Sequence, residues 1–136
     1  MTKFFYQWFN DINETYSLII EDNGIVAYAY LLEGNNIISD VWLYNQADTP
    51  PKMNWGDATK MPFMNPLDFL NEKMVILPLT DSQEVNCEFE FSTNTSELIC
   101  VDIYIRRIFI AKLKPNFKPG WSTRVIKDGP LAKLLK

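Results

Sequence analysis

A chain of 136 residues, 47% apolar and 22% charged, suits one hydrophobic core and is short for two. Nine Phe, six Tyr and four Trp exclude disorder over most of the length, because disorder goes with few aromatics and high net charge. The net charge is −4 and histidine is absent, which removes Ser-His-Asp and Cys-His machinery, the usual zinc sites and the commonest general base near neutral pH.

Taken from the start, residues 3–12 satisfy two periods. Phe5, Trp8, Phe9 and Ile12 form a helical stripe, whereas Phe4, Tyr6 and Trp8 alternate as a strand. The longer match predicts a short N-terminal helix. A β-meander follows. Tyr16, Leu18 and Ile20 alternate with polar neighbours up to the turn Asp22-Asn23-Gly24. A second strand over Ile25–Leu32 sets Val26, Tyr28 and Tyr30 against Ala27 and Ala29, and Glu33-Gly34-Asn35-Asn36 turns it into a third, Ile37–Tyr44.

Residues 45–72 break this pattern with Pro50, Pro51, Pro62 and Pro66, and Pro66 is placed to open a short helix over Leu67–Asn71. A connection this long without regular structure is uncommon and often functional. Val85, Cys87, Phe89 and Phe91 then alternate with Asn86, Glu88 and Glu90 as a half-buried strand. Leu98–Ile105 and Ile108–Leu113 read as a hairpin pivoting at Arg106-Arg107 or as one long bent strand, since neither arginine favours a primed turn. Pro130, followed by Leu131, Leu134 and Leu135, predicts a small terminal helix.

The expected fold is therefore mostly β, of α+β type: an antiparallel sheet, sandwich or open barrel of about six to eight strands. One to three short helices, including N- and C-terminal ones, accompany it in a single domain over 1–136. Val26, Val41, Phe89, Val101 and Ile103 are the predicted core.

Little catalytic equipment stands out. Glu88 and Glu90 share a strand face, which is also how the polar side of any half-buried strand looks. Cys87 falls among apolar residues and reads as an inert core thiol, with Cys100 the more exposed of the pair. Neither has metal-ligand spacing, and no glycine-rich phosphate loop occurs, so no metal and no cofactor are expected. The longest apolar run, Ile25–Leu32, is far short of a membrane span, and no export signal is evident, so a cytoplasmic protein without membrane association is expected.

Two segments point to binding. In the 45–72 excursion Met53, Trp55, Met61, Phe63 and Met64 either form an adaptable contact surface or fold back to cap the sheet. Asp40, Asp48, Asp57 and Asp68 lie on or beside it. In the basic C-terminal stretch, Arg106, Arg107, Lys118 and Arg124 are interleaved with Trp121, as a single-stranded nucleic-acid surface requires. Residues 1–102 carry 16 acidic and four basic side chains, a balance of −12, against one and nine, a balance of +8, in residues 103–136. That acidic remainder would repel a polyanion. Mutual neutralisation of the two halves across a folded sheet is the simplest account of the split.

The expected function is that of a non-catalytic protein-binding module. Its concrete form is an acidic immunity or inhibitor protein whose face covers the basic channel of a nuclease-like toxin. The alternatives are a small-ligand-binding β domain, with Trp42, Tyr44, Tyr28 and Tyr30 lining a pocket, or a structural subunit of a larger assembly. The sequence leaves the oligomeric state open.

Overall fold

A computed structural model describes residues 2–71 and 76–135. The described residues form nine strands in two sheets. The first is an antiparallel meander of β1 (Phe4–Phe9), β2 (Tyr16–Asp22), β3 (Val26–Glu33) and β4 (Asn36–Asn45). The second runs β5 (Val85–Phe91), β6 (Leu98–Ile105), β7 (Ile108–Leu113), β8 (Trp121–Ser122) and β9 (Lys133–Leu134). Its last pair, β8 with β9, is parallel. Neither sheet closes into a barrel.

The strands form where branched and aromatic side chains alternate with smaller or polar ones. On β2 and β3, Leu18, Ile20, Ala29 and Leu31 are fully buried, and on β6 Val101 and Ile103 are as well. These residues belong to one continuous cluster with members from both sheets. Four of the five predicted core residues are fully buried, whereas Phe89 is half-buried and packs against the margin of the cluster.

β4 joins the two layers. One side of it pairs with β3, while the other receives backbone hydrogen bonds from the C-terminal segment. Asn116 donates to the Ile38 carbonyl at 2.9 Å and Gly120 to that of Asp40 at 2.7 Å, and Trp42 donates to the Leu131 carbonyl at 3.0 Å. Gly120 is also packed closely on the end of the preceding hairpin: a Cβ there would lie 2.6 Å from the Lys112 carbonyl oxygen and 2.8 Å from Leu113 Cδ2, both on β7.

Both terminal helices expected from the sequence are strands instead, and the only helical elements among the described residues are 3-10 turns at Ala58–Lys60, Leu67–Phe69 and Ser82–Glu84. At the N-terminus Phe4 and Trp8 pack against the core in strand alternation, and the helical stripe is not used: Phe5, Phe9 and Ile12 are exposed. At the C-terminus Leu131 and Ala132 are buried because the extended chain fills the gap beside β4 and continues as β9. These two conversions, with the two-residue β8, bring the strand number to nine rather than six to eight.

β6 and β7 form a hairpin whose two turn residues, Arg106 and Arg107, have φ of 50° and 70°. The primed turn that arginine disfavours is thus adopted. Arg106 is held there by its side chain: Nε meets Glu84 at 2.7 Å, and the two terminal nitrogens donate to the carbonyls of Leu77 and Pro78 at 2.9 and 3.0 Å. Arg107 is exposed. Arg107→Gly is accordingly expected to raise stability by about 0.5 to 1 kcal/mol in urea unfolding, as the left-handed penalty is removed and part of the gain returns through a freer unfolded chain. A loss of stability would show that the Arg107 side chain supports the turn.

Glu84 anchors the same corner. Its carboxylate accepts from the N–H groups of Thr80 and Asp81 at 2.8 and 3.0 Å, closing a capping box with Asp81. The Thr80 N–H, with the Asp81 N–H and Arg106, holds the Glu84 carboxyl down to about 2 from an ordinary 4.5. The folded-state value lies below the unfolded one, so this contribution to stability is present above about pH 4.5 and is lost as pH falls through about 2. In Glu84→Gln, acid titration of the unfolding midpoint is expected to fall less steeply across that window than in the wild type. Parallel curves would contradict the assignment.

Candidate functional site

The excursion after β4 is pinned at its base, its middle and its end. At the base, Gln46 and Ala47 donate their N–H groups to the Ile25 carbonyl at 2.7 and 2.9 Å. Asn45 acts as a two-sided clasp: its Nδ2 donates to the Asn65 carbonyl at 2.8 Å, and its Oδ1 accepts from the Asn65 N–H at 3.0 Å and from Trp42 Nε1 at 2.9 Å. Leu67 donates to the Pro50 carbonyl at 2.9 Å, closing the loop on itself. The Tyr28 hydroxyl reaches up from β3 to the Phe63 carbonyl at 2.6 Å. At the far end Asn71 and Ile126 exchange backbone bonds with Arg124 and Phe69, and Leu70 bridges Val125.

This stitching divides the residues expected to form a contact surface. Phe63 and Met64 pack against the core cluster as a cap, and Met53 is half-buried. Trp55, Met61 and Leu67 remain 38%, 63% and 46% exposed. The Trp55 ring stands edge-on to Phe63 and Phe69, with centroids 5.3 and 6.4 Å apart, so it is both displayed and buttressed. Phe69 in turn lies under the Lys127 ammonium at 4.7 Å and against Gly129, where a Cβ would come within 2.8 Å of its ring.

Three of the four predicted aspartates belong to the same loop as the displayed apolar residues. Asp48 and Asp68 are exposed, and Asp57 caps the Ala58–Lys60 turn. The Thr59 hydroxyl and N–H, at 2.6 and 3.1 Å, hold the Asp57 carboxyl below the ordinary carboxylate range, so it stays charged. Asp40 is different. It sits half-buried on β4 opposite Tyr30, where burial pushes its carboxyl above the ordinary range and Lys118 draws it back.

The predicted basic patch is dispersed. Arg106 is engaged with Glu84 and two carbonyls at the β6–β7 turn, where Arg107 also lies. Lys118 is exposed on the segment leading into β8. Trp121 is half-buried, with Phe117 at 5.8 Å and the ammonium groups of Lys114 and Lys133 at 5.2 and 5.6 Å from its ring. Arg124, only 5% exposed, faces the interior. Among the described residues two ion pairs join the acidic stretch to the basic one, Glu84 with Arg106 at 2.7 Å and Asp102 with Lys112 at 3.4 Å. Glu88, Asp102, Lys112, Trp121 and Lys133 follow one another directly across β5 to β9.

Cys87 packs half-buried against the core cluster, where burial pushes its thiol up to about 12, as an inert core thiol should. Cys100, expected to be the more exposed of the pair, is buried, and burial raises its pKa as well. Among the described residues no three His, Cys, Asp or Glu side chains are grouped to hold a metal ion, and no helix is long and apolar enough to cross a membrane. Glu72 and Lys136, which end the excursion and the basic stretch, lie outside the described residues.

A small cavity lies between the loop and β4, and sequence reasoning anticipated its lining only in part. It measures about 210 Å³ and is lined by Trp42, Tyr44, Asn45, Thr49, Leu70 and Arg124 among others. Trp42 and Tyr44 were expected in such a pocket; Tyr28 and Tyr30 do not line it. Tyr28 lies under the loop and stacks on Tyr30 at 6.1 Å. Comparisons with protein-family models, curated proteins and solved structures found no match to this chain.

Proposed function

We propose that this protein is a non-catalytic protein-binding module that engages a basic partner through the loop following β4. The reading rests on one arrangement: an exposed Trp55 held in place by Phe63 and Phe69 and flanked in the same loop by Asp48, Asp57 and Asp68. Interface energy concentrates in a few rigid aromatics, while charges around them steer association and exclude wrong partners. A loop fixed by backbone and side-chain bonds at its base and along its length loses little conformational freedom on binding. In its concrete form the module is a cytoplasmic immunity or inhibitor protein that covers the basic channel of a nuclease-like toxin.

Native purification of the tagged protein from its producing cell tests the reading. The wild type is expected to retain one stoichiometric basic protein, Glu88→Gln on the second sheet to retain it equally, and Trp55→Ala to lose it. Retention by Trp55→Ala at wild-type level would remove the loop as the interface.

The cavity beside Arg124 favours a second reading, a small-ligand domain, in which a retained anionic or polar molecule of a few heavy atoms would accompany the purified protein. Mass spectrometry of the extracted protein distinguishes the two.

A further inference from the structure

We infer that β1 is the interface through which two copies of this chain pair, edge to edge, into one continuous eight-stranded sheet. The other sheet edges among the described residues are guarded. β4 is covered by backbone bonds from Asn116 and Gly120 and by its own bond to Leu131. β5 carries exposed Glu88 and Glu90, and β9 is two residues long and carries Lys133. β1, by contrast, has no proline, no charge and no bulge over its six residues, and its outer side meets no other strand. An edge without such protection is a template for another strand.

The backbone fixes which residues can pair. Asn10 donates its N–H to the Tyr16 carbonyl at 3.0 Å, so by the antiparallel alternation Phe4, Tyr6 and Trp8 direct their N–H and C=O groups toward β2. The corresponding groups of Phe5, Gln7 and Phe9 therefore point outward. A second copy in antiparallel orientation must match outward residues with outward residues, and a two-fold axis through Gln7 does so with the largest overlap. Gln7 then faces Gln7, Phe5 faces Phe9, and Tyr6 faces Trp8.

The side chains complement one another in that register. Phe5 and Phe9, 61% and 56% exposed, cover each other on one face of the sheet. On the other face Tyr6 and Trp8, already in contact with centroids 4.8 Å apart, meet the same pair from the second copy and make a cluster of four rings. Beyond the strand ends, exposed Lys3 of each copy comes opposite exposed Asp11 of the other. Displacing the register by two residues separates both the phenylalanine pairs and these charges. The interface is isologous, so it closes at two copies and does not propagate.

Sedimentation velocity over a dilution series, with three sets of variants, tests the inference. The wild type is expected to be a dimer that dissociates on dilution. Phe5→Lys/Phe9→Lys, which changes only exposed side chains, is expected to be monomeric with an unchanged circular dichroism spectrum. Lys3→Glu is expected to weaken dimerisation about threefold to tenfold, and Lys3→Glu/Asp11→Lys to restore it. Gln7 pairs with itself at a Cα separation of about 5.5 Å, inside the range a disulfide bridges, so oxidised Gln7→Cys is expected to yield a covalent dimer while Phe5→Cys and the wild type do not. A wild type monomeric at its highest soluble concentration would overturn the inference, and so would a dimer that survives the double lysine variant. Crosslinking of Phe5→Cys in place of Gln7→Cys would overturn the register.

Discussion

Asp22→Ala is expected to cost about 3 to 5 kcal/mol of folding free energy, because it removes the acceptor at a buried polar junction. The Asp22 carboxylate is buried at the end of β2 and accepts from the Tyr44 hydroxyl at 2.8 Å, Gln46 Nε2 at 2.6 Å and the Gly24 N–H at 2.9 Å. Tyr44 extends the network by accepting from the Leu79 N–H at 2.9 Å. Alanine leaves the Gly24 N–H and the Tyr44 O–H without this acceptor in a buried setting, each at about 1 to 3 kcal/mol. Asp22→Asn, which keeps one acceptor oxygen, is expected to lose about 1 to 2 kcal/mol. Asp22→Ala also removes one of the two acceptors of Gln46 Nε2 at the root of the loop after β4, leaving the Thr2 carbonyl, so the amides of Gln46 and Ala47 should exchange hydrogen faster even where the protein remains folded. Urea unfolding checks the first effect, and a loss below about 1 kcal/mol would mean that water replaces the carboxylate without penalty.

The second large effect concerns the partner. Trp55→Ala is expected to weaken binding by about 2 kcal/mol or more, roughly thirtyfold, almost all of it as faster dissociation. The ring is 38% exposed and its aromatic contacts among the described residues are Phe63 and Phe69, so folding should lose about 1 to 3 kcal/mol and the variant should remain folded. Neutralising Asp48, Asp57 and Asp68 together should act on the other rate. Association should slow and its dependence on salt should flatten, because steering by exposed charges is screened beyond roughly 8 Å at physiological ionic strength. Asp40→Asn should leave association unchanged, since that carboxyl is half-buried on β4. Stopped-flow kinetics with the purified partner separates these outcomes. An unchanged association rate for the triple variant at low salt would dispose of the acidic rim, and an unchanged dissociation rate for Trp55→Ala would dispose of the anchor.

β2, β5, β6 and β7 were legible because each buries one face more than the other, so a side chain on the wrong face would be penalised by its whole transfer energy. β3 and β4, buried on both faces over much of their length, were legible instead as branched and aromatic runs between turn residues. Phe4–Phe9 was not. Five of its six residues are aromatic, so both periods find matches and the helical one is the longer, and at a sheet edge exposed Phe5 and Phe9 carry no pattern that discriminates. The C-terminal segment misled for a related reason. Leu131 and Leu134 do mark buried contacts, but the partners that fix them are the backbone of β4 for Leu131 and β8 for Leu134, which no local spacing encodes. Arg106 shows tertiary context overriding turn preference: Glu84 and two carbonyls outweigh the strain of a left-handed arginine.

In the loop, the prolines and the aromatic content marked a segment outside the strand pattern, yet Trp55 and Phe63 were indistinguishable as candidates for an exposed contact. What separates them is the Tyr28 hydroxyl, which draws the Phe63 carbonyl onto the sheet and leaves the Trp55 ring outside. The clasp between Asn45 and Asn65, twenty residues apart, carries no sequence signal beyond two polar residues at the ends of the excursion.

Photo-crosslinking from position 55 in the producing cell tests the central claim most directly. A benzophenone side chain replaces Trp55 in one protein and Ile99, exposed on the second sheet, in another. A single basic protein joined at position 55 and absent at position 99, with the adduct lost when Asp48, Asp57 and Asp68 are neutralised, is the predicted result. No adduct at position 55, or the same adducts from both positions, would contradict it.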